Sequence, residues 1–320
     1  MSSARNPQAE ATALLPESYE ARVLEPSPPA SSDPPWFADD PTDPTGATGT
    51  VVSPVEHEGI SWTEMVTEHP DLNGYASDHW LGAYRRLRPL PDGFEQAHRA
   101  LHRLAYFVLA PKRFAANGKL GLRYTYRGFG TPFFGDDEQV RVEEARLVYQ
   151  HGAETLTAPI STLRAATRFL DIPFTAVWFD GFRDPLDPED PDGHLDIDPA
   201  ATNAIGDWFG FAASVLEQAR RTPGAVEVSR VQLWPEHFDL AFEMGTGDHR
   251  ASYGASPGDD SHPEPYVYVA AWGSIDRSDP FWNDTAFNGA SISYRDLLGA
   301  SDQRATTLEF LGQGYEHLTA

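Results

Sequence analysis

The strand-like segments of this chain fall into two groups, and helical segments stand before and after each group. The predicted strands are Leu120 to Arg127, Val140 to Gln150 and Thr155 to Ile160 in the first group, and Val226 to Met244, Arg250 to Tyr253 and Tyr266 to Trp272 in the second. Helices that flank antiparallel strands, instead of alternating with each strand, are typical of α+β proteins. We therefore predict an α+β fold with an antiparallel sheet packed against helices. The shared order of elements leaves two explanations open, an internal duplication that gave two similar halves and a chance similarity of turn residues.

Two of the predicted helices have clear boundary signals. Asp92 is the expected N-cap of the first, and Glu95 three residues later completes a capping-box pattern. Pro111 should stop or kink that helix, because proline lacks the N–H that an interior helical hydrogen bond needs. Asp198 is the expected N-cap of the second helix, with Pro199 at its first position.

The composition changes along the chain and suggests four parts. Residues 1–58 are rich in Pro, Ser, Asp, Ala and Thr and predict a disordered tail, since they carry too little apolar surface to fold. A helical pattern begins at Ile60, so residues 59–182 form the first predicted α+β half. Residues 183–198 are a linker dense in Asp and Pro, and residues 199–320 form the second half.

The formal net charge of −24 limits the partners of the protein. Such a charge repels phosphate backbones and anionic membrane surfaces, so we predict no nucleic-acid partner and no membrane partner. No apolar run approaches the roughly 20 residues of a membrane helix, and the N-terminal sequence lacks the apolar stretch of a secretory signal, which predicts a cytoplasmic protein. The absence of cysteine excludes disulfides, cysteine-ligated zinc and a thiol nucleophile. These features do not predict an oligomeric state.

Four short runs resemble those of a group of uncharacterised actinobacterial proteins, and the resemblance covers about residues 60 to 320. The runs are Lys119 to Arg123, Gly128 to Pro132, Leu233 to Asp239 and Tyr253 to Asp259. The resemblance implies no activity, cofactor or catalytic residue, so the functional predictions depend on the residues themselves.

A candidate site lies in the run from Val226 to Met244. There Phe238, Leu240, Phe242 and Met244 alternate with His237, Asp239, Ala241 and Glu243, so that one long strand would bury the first set and present the second on its other face. Tyr266, Tyr268 and Trp272 share one side of a following strand. We predict a binding site for a small polar organic ligand, with polar contacts from His237 and Asp239 and stacking on Tyr266 or Trp272. The alternative is that these aromatic rings pack under a helix as core.

The same region supports an alternative prediction of a divalent metal site. His237 and Asp239, two positions apart on a strand, would point the same way, and His262 from a following turn would be a third ligand. Glu236 or Glu243 would then act as a base in a metal-dependent, hydrolytic enzyme. The alternative is a solvated sheet face without a site.

The pattern Gly254-Ala255-Ser256-Pro257-Gly258 matches the nucleophile elbow of α/β-hydrolases but fails its requirements. Pro257 has no N–H for an oxyanion, and the segment after it leads into another strand, whereas an elbow leads into a helix. A third class of function also stays open, a structural or interaction protein that recruits a partner through its N-terminal tail.

Overall fold

The computed structural model describes residues 87–125, 128–132, 134, 138–143, 145–151, 154–220 and 222–319, together with two short strands at 50–51 and 60–61. The strands are β1 (Thr50–Val51), β2 (Ile60–Ser61), β3 (Arg123–Thr125), β4 (Gly128–Gly130), β5 (Glu138–Glu143), β6 (Arg146–His151), β7 (Glu154–Pro159), β8 (Gln232–Trp234), β9 (Asp239–Met244), β10 (Ala251–Ser256), β11 (Tyr266–Ala271) and β12 (Gly289–Ser293). The helices are α1 (Phe94–Leu104), α2 (Ala110–Asn117), α3 (Leu163–Phe169), α4 (Pro199–Ala219), α5 (Tyr294–Gly299) and α6 (Gln303–Thr319). A π-helical turn, Ala105–Leu109, joins α1 to α2, and a short 3₁₀ turn, Gly247–His249, precedes β10.

Strands β3 to β12 form two five-stranded antiparallel sheets, which confirms the predicted α+β class. The N-terminal sheet has the order β3-β4-β5-β6-β7, and the C-terminal sheet has the order β12-β11-β10-β9-β8. Each sheet is therefore a meander in which neighbours in sequence are neighbours in space. Just before β3, Leu122 exchanges two backbone hydrogen bonds of 2.8 Å with Leu233 of β8, which links the two sheets at one edge.

Helix α4 packs against both sheets and supplies much of the shared core. It contacts β3 and β4 on one side and β9 and β10 on the other. The edge of the Phe209 ring meets Phe129 of the N-terminal sheet at 6.1 Å and Phe238 at 5.2 Å between ring centroids. The predicted N-cap is confirmed, because the Asp198 carboxylate accepts hydrogen bonds from the backbone of Ala200 and Ala201. Such a cap contributes about 1 kcal/mol.

The start of α1 differs from the prediction, since Gly93 and not Asp92 is the N-cap. Gly93 has a φ of 77°, a left-handed conformation that glycine adopts without strain. This turn places Asp92 outside the first turn of the helix, so the predicted capping box does not form. Pro111 does not end the helix either: the preceding turn widens to a π-helix, in which the Ala110 N–H reaches back to the Ala105 carbonyl.

Two predicted strands are hairpins in the structure. Val140 to Gln150 contains β5, a turn and β6, and Val226 to Met244 contains β8, a turn and β9. Ala145 in the first turn has a φ of 65° and Phe238 in the second has a φ of 55°. Neither residue type marks a left-handed turn, so neither position carried a sequence signal for its turn.

The predicted disordered tail, residues 1–58, lies outside the described residues except for β1, which pairs with β2. The predicted helical segment begins at Ile60, but Ile60 lies in β2. The next part of that predicted segment, residues 62–86, lies outside the described residues. In the part of the chain that the structure describes, no helix has both the length and the apolar character that crossing a bilayer requires.

Candidate functional site

A cavity of about 760 Å³ lies between α1 and the C-terminal sheet. This volume is within the range of small-molecule sites. The cavity is lined by residues of α1, of the loop at 184–189, of the β8–β9 turn and of the segments around β10 and β11. Its charged and aromatic side chains include Glu95, His98, Arg99, His102, Arg103, Asp184, Glu189, Glu236, His237, Asp239, Asp259, Asp260, His262, Tyr266, Tyr268 and Phe287.

Strand alternation gives the C-terminal sheet one face in the core and one face on the cavity. Leu240 on β9 and Val267 on β11 are buried in the core. Their neighbours Asp239, Tyr266 and Tyr268 point to the opposite face and line the cavity. The sheet therefore supplies a polar and aromatic floor for this cavity.

Tyr268 reaches across a strand to bind Asp239. Gly254 on β10 pairs with Ala241 of β9 on one side and with Tyr268 of β11 on the other. The Tyr268 hydroxyl donates a hydrogen bond to Asp239 Oδ2, two strands away. A Cβ atom on Gly254 would lie 2.7 Å from Tyr268 Cε1 and closer still to Cζ and the hydroxyl oxygen, so only glycine leaves room for the ring.

Asp239 is a buried carboxyl group with one oxygen unused. It is 6% exposed, and among the described residues its Oδ1 has no hydrogen-bond partner. Burial raises the pKa of Asp239, while His237, the Tyr268 hydroxyl and the backbone N–H of Asp239 itself act in the opposite direction. A buried carboxyl oxygen without a donor is costly, so this atom marks a position that a bound donor would stabilise.

A second tyrosine–aspartate pair lies beside the first. The Tyr266 hydroxyl donates to Asp259 Oδ2 at 2.6 Å, and the Tyr266 and Tyr268 ring centroids are 5.9 Å apart. Asp259 Oδ1 accepts from the backbone N–H groups of Ser261 and His262, at 2.7 and 2.8 Å. Burial acts to raise the pKa of Asp259, but the hydrogen bonds from Tyr266 and from these backbone groups lower it below its ordinary value. The two carboxyl groups thus have opposite pKa shifts.

Aromatic rings form one wall of the cavity. His262 stacks on Tyr266 with ring centroids 4.3 Å apart, and Phe287 lies 5.8 Å from Tyr268 and 6.5 Å from Tyr266. His262 Nε2 lies 3.0 Å from Oδ2 of Asp284, a residue that is itself buried. This contact fixes the imidazole plane, so the wall offers an ordered flat surface for an apolar or aromatic group.

Helix α1 contributes two histidines to the opposite wall, His98, which is buried, and His102, which is half-buried. His98 is 8% exposed, and its Nε2 has no hydrogen-bond partner within the described part of the chain. Burial is the main cause that lowers the pKa of His98 to about 3, followed by His102 and Arg99. Burial also lowers the pKa of His102 to about 4, although its Nε2 lies 3.0 and 3.1 Å from the carbonyl oxygens of Pro235 and Glu236. Both imidazoles are neutral at pH 7.

The turn that carries Asp239 is held by Phe238. This phenylalanine is fully buried, and its ring stacks on His98 and His102 at 5.8 and 5.4 Å between centroids. Its left-handed φ of 55° is strained for a bulky residue and persists because the ring is fixed by its neighbours. The strained turn leaves His237 at the rim and directs Asp239 into the cavity.

Charge on the cavity wall is mostly negative. Among the described residues, seven aspartate and glutamate side chains line it, against two arginines. Both arginines are engaged: Arg99 pairs with Glu95 at 2.9 Å, and Arg103 pairs with Glu189. The histidines of α1 add no positive charge at neutral pH, so the cavity has an excess of negative charge.

Among the residues predicted for ligand binding, the structure brings Asp239 and Tyr266 to the cavity wall and His237, with 59% of its side chain exposed, to the rim. Trp272 is not part of the cavity lining. It follows the last residue of β11, is 58% exposed, and donates through Nε1 to Ser252 Oγ at 3.1 Å, with the Arg250 guanidinium over its ring.

The structure does not bring the predicted metal ligands His237, Asp239 and His262 into one coordination site. Within the described residues, no group of three or more histidine, aspartate and glutamate side chains is arranged to hold a metal ion. The physical reason is the turn at Phe238, which interrupts the alternation that would have pointed His237 and Asp239 the same way. His262 is turned toward Asp284 instead.

Sequence reasoning missed several residues of this site. Asp259, Gly254 and the pair His98 and His102 received no functional role. The two histidines, four positions apart, share a helix face, and this spacing was the available signal. Gly254 is part of the Gly-x-Ser-x-Gly motif, and Asp259 follows that motif directly. Gly254 leaves space for Tyr268, and Asp259 accepts a hydrogen bond from Tyr266; both roles depend on strand register.

Comparison of the chain with protein-family models, curated proteins and solved structures finds no match.

Proposed function

We propose that this protein binds a small polar organic ligand in the cavity between α1 and the C-terminal sheet. The observation that carries the proposal is Asp239, a buried carboxyl group in the cavity wall whose Oδ1 lacks a donor among the described residues. Burying an acceptor in this way costs about 1–3 kcal/mol unless a partner arrives. A ligand that donates to Asp239 recovers that cost.

The rest of the wall is suited to hold such a ligand in one orientation. Tyr268 fixes Asp239 Oδ2, so that Oδ1 is presented in a defined direction. Tyr266, His262 and Phe287 supply ordered aromatic surface beside it. A small number of fixed polar groups with aromatic surface is the common composition of small-molecule sites.

The other two classes of function have less support. A metal-dependent enzyme based on His237 and Asp239 needs a third ligand, and in the described residues none is in place. A partner-recruiting tail concerns residues 1–58, which lie outside the described residues apart from β1. The cytoplasmic location stays a prediction from the sequence.

A thermal-shift screen with small polar compounds tests the proposal. Ligands that bind the wild-type protein should raise its Tm, since a ligand at 100 times its Kd stabilises by about 2.7 kcal/mol. The shift should disappear in Asp239→Asn, which keeps the acceptor for Tyr268 but changes the group at Oδ1. It should persist in the matched control Asp248→Asn, an exposed residue outside the cavity lining. Ligands that stabilise Asp239→Asn as much as the wild type, or a broad screen without any Asp239-dependent ligand, would contradict the proposal.

A further inference from the structure

We propose that the ligand of this cavity carries a positively charged nitrogen group, such as a primary ammonium, that binds at Asp239. This inference rests on the proposed function and specifies its ligand class. It is carried by two independent observations, the unpartnered oxygen of a buried carboxyl group and the charge of the surrounding wall.

The first observation concerns hydrogen-bond type. The atom of Asp239 that lacks a partner is a hydrogen-bond acceptor. Its Oδ1 has no donor among the described residues, whereas its Oδ2 accepts a hydrogen bond from Tyr268. An ammonium group offers three donors and no acceptor, so it matches a site that lacks donors. A charge-assisted hydrogen bond to a carboxylate is also roughly twice as strong as a neutral one.

The second observation concerns charge. Both arginines of the wall are paired with glutamates of the same wall, and Asp239 and Asp259 have only tyrosine hydroxyls or backbone N–H groups as hydrogen-bond donors within the described residues. A ligand carboxylate or phosphate would bring a further negative charge against these groups. A cation lowers the electrostatic energy of the site, and the low polarity around a buried carboxylate strengthens that attraction.

The aromatic wall completes the match. The His262 and Tyr266 rings stack, and Phe287 extends the surface they form. An apolar or aromatic body can lie on this surface while the cationic group reaches Asp239. Tyrosine and phenylalanine faces also attract cations directly, by about 0.5–2 kcal/mol.

Three probes that share one aromatic body test the inference: 2-(4-hydroxyphenyl)ethylamine, 2-(4-hydroxyphenyl)ethanol and 4-hydroxyphenylacetate. The amine and the alcohol differ only in an ammonium or a hydroxyl group, and the acid carries a carboxylate in place of the terminal CH2OH group of the alcohol. Calorimetric titration of the full-length wild-type protein should give the amine at least a tenfold lower Kd than the alcohol, with the acid weakest. Asp239→Asn should weaken the amine at least tenfold and the alcohol by a smaller factor, since both donate to Asp239 but only the amine carries a charge. Asp248→Asn should change neither.

The wild-type ranking decides the inference even if Asp239→Asn fails to fold. Alcohol or acid binding that equals or exceeds amine binding would overturn the cation preference while the proposed ligand site stands. Absence of binding by all three probes would also overturn the inference as stated. The proposed function itself is then decided by the wider screen, because a neutral ligand that depends on Asp239 would still be found there.

Discussion

Replacing Gly254 by alanine should destabilise the protein by separating Tyr268 from Asp239. The new methyl group would lie 2.7 Å from Tyr268 Cε1 and nearer to Cζ. Carbon atoms in contact are about 3.5–4.0 Å apart, so the ring must move by roughly 1 Å. Such a movement breaks the hydrogen bond to the carboxyl group, worth about 1.5–3 kcal/mol, and overpacking adds about 1–3 kcal/mol. Since the two effects overlap, we expect a loss of about 2–5 kcal/mol.

Urea unfolding followed by tryptophan fluorescence measures this loss. Gly312→Ala is the matched control, because a methyl group there meets nothing within 4 Å and the site is an interior position of α6. That change should be neutral or should stabilise by up to about 1 kcal/mol. Tyr268→Phe removes the hydroxyl without a clash and should cost only the hydrogen-bond part, about 1.5–3 kcal/mol. A Gly254→Ala variant within about 0.5 kcal/mol of the wild type would refute the reasoning, since surface changes alone reach that size.

Further predictions concern pH. Burial raises the pKa of Asp239, so its ionised form opposes folding and stability falls as the pH rises from the unfolded pKa of about 3.9 through the higher folded one. Asp239→Asn should therefore gain stability relative to the wild type as the pH rises above the unfolded pKa of about 3.9, and a constant difference in urea unfolding would contradict this. Asp259, whose pKa is lowered, stabilises the fold above its unfolded pKa and loses this effect as the pH falls through its folded pKa. Asp259→Asn should thus destabilise the protein at pH 7, and by less as the pH falls through the folded pKa of Asp259, in the same assay. His98, with its pKa lowered to about 3, should keep the NMR shifts of a neutral imidazole down to about pH 5, and a His98 signal that titrates near the ordinary value of about 6.5 would show that the ring is not buried.

Local signals were sufficient for part of the fold. The boundary of α4 followed from Asp198 and Pro199, because an N-cap and a first-turn proline act within one helical turn. The turns at Ala145 and Phe238 could not be predicted in the same way. The left-handed conformation of Phe238 is held by packing against His98 and His102, which are distant in the chain, and neither Ala nor Phe favours that conformation by itself.

Only part of the candidate site could be predicted from the sequence. Alternation placed Asp239 on the face away from the core, while for Tyr266 a ligand surface and a core position both stayed open; both residues line the cavity. The bond from Tyr268 to Asp239 depends on three strands being in register around Gly254, which is long-range information. Trp272 continues the same alternation, but it lies past the end of β11 and pairs with Ser252 outside the cavity lining.

The position of α4 has a consequence for how this molecule can be divided. The helix follows residues 183–198 in the chain, yet it covers β3 and β4 as well as β9 and β10. A cleavage in that acidic segment would leave the N-terminal fragment with Phe129 uncovered, and the C-terminal fragment with half of its central helix bare. Neither fragment would retain a complete hydrophobic core. Recombination that replaces only one half would therefore disrupt the core under α4, so the two sheets depend on each other for a stable fold.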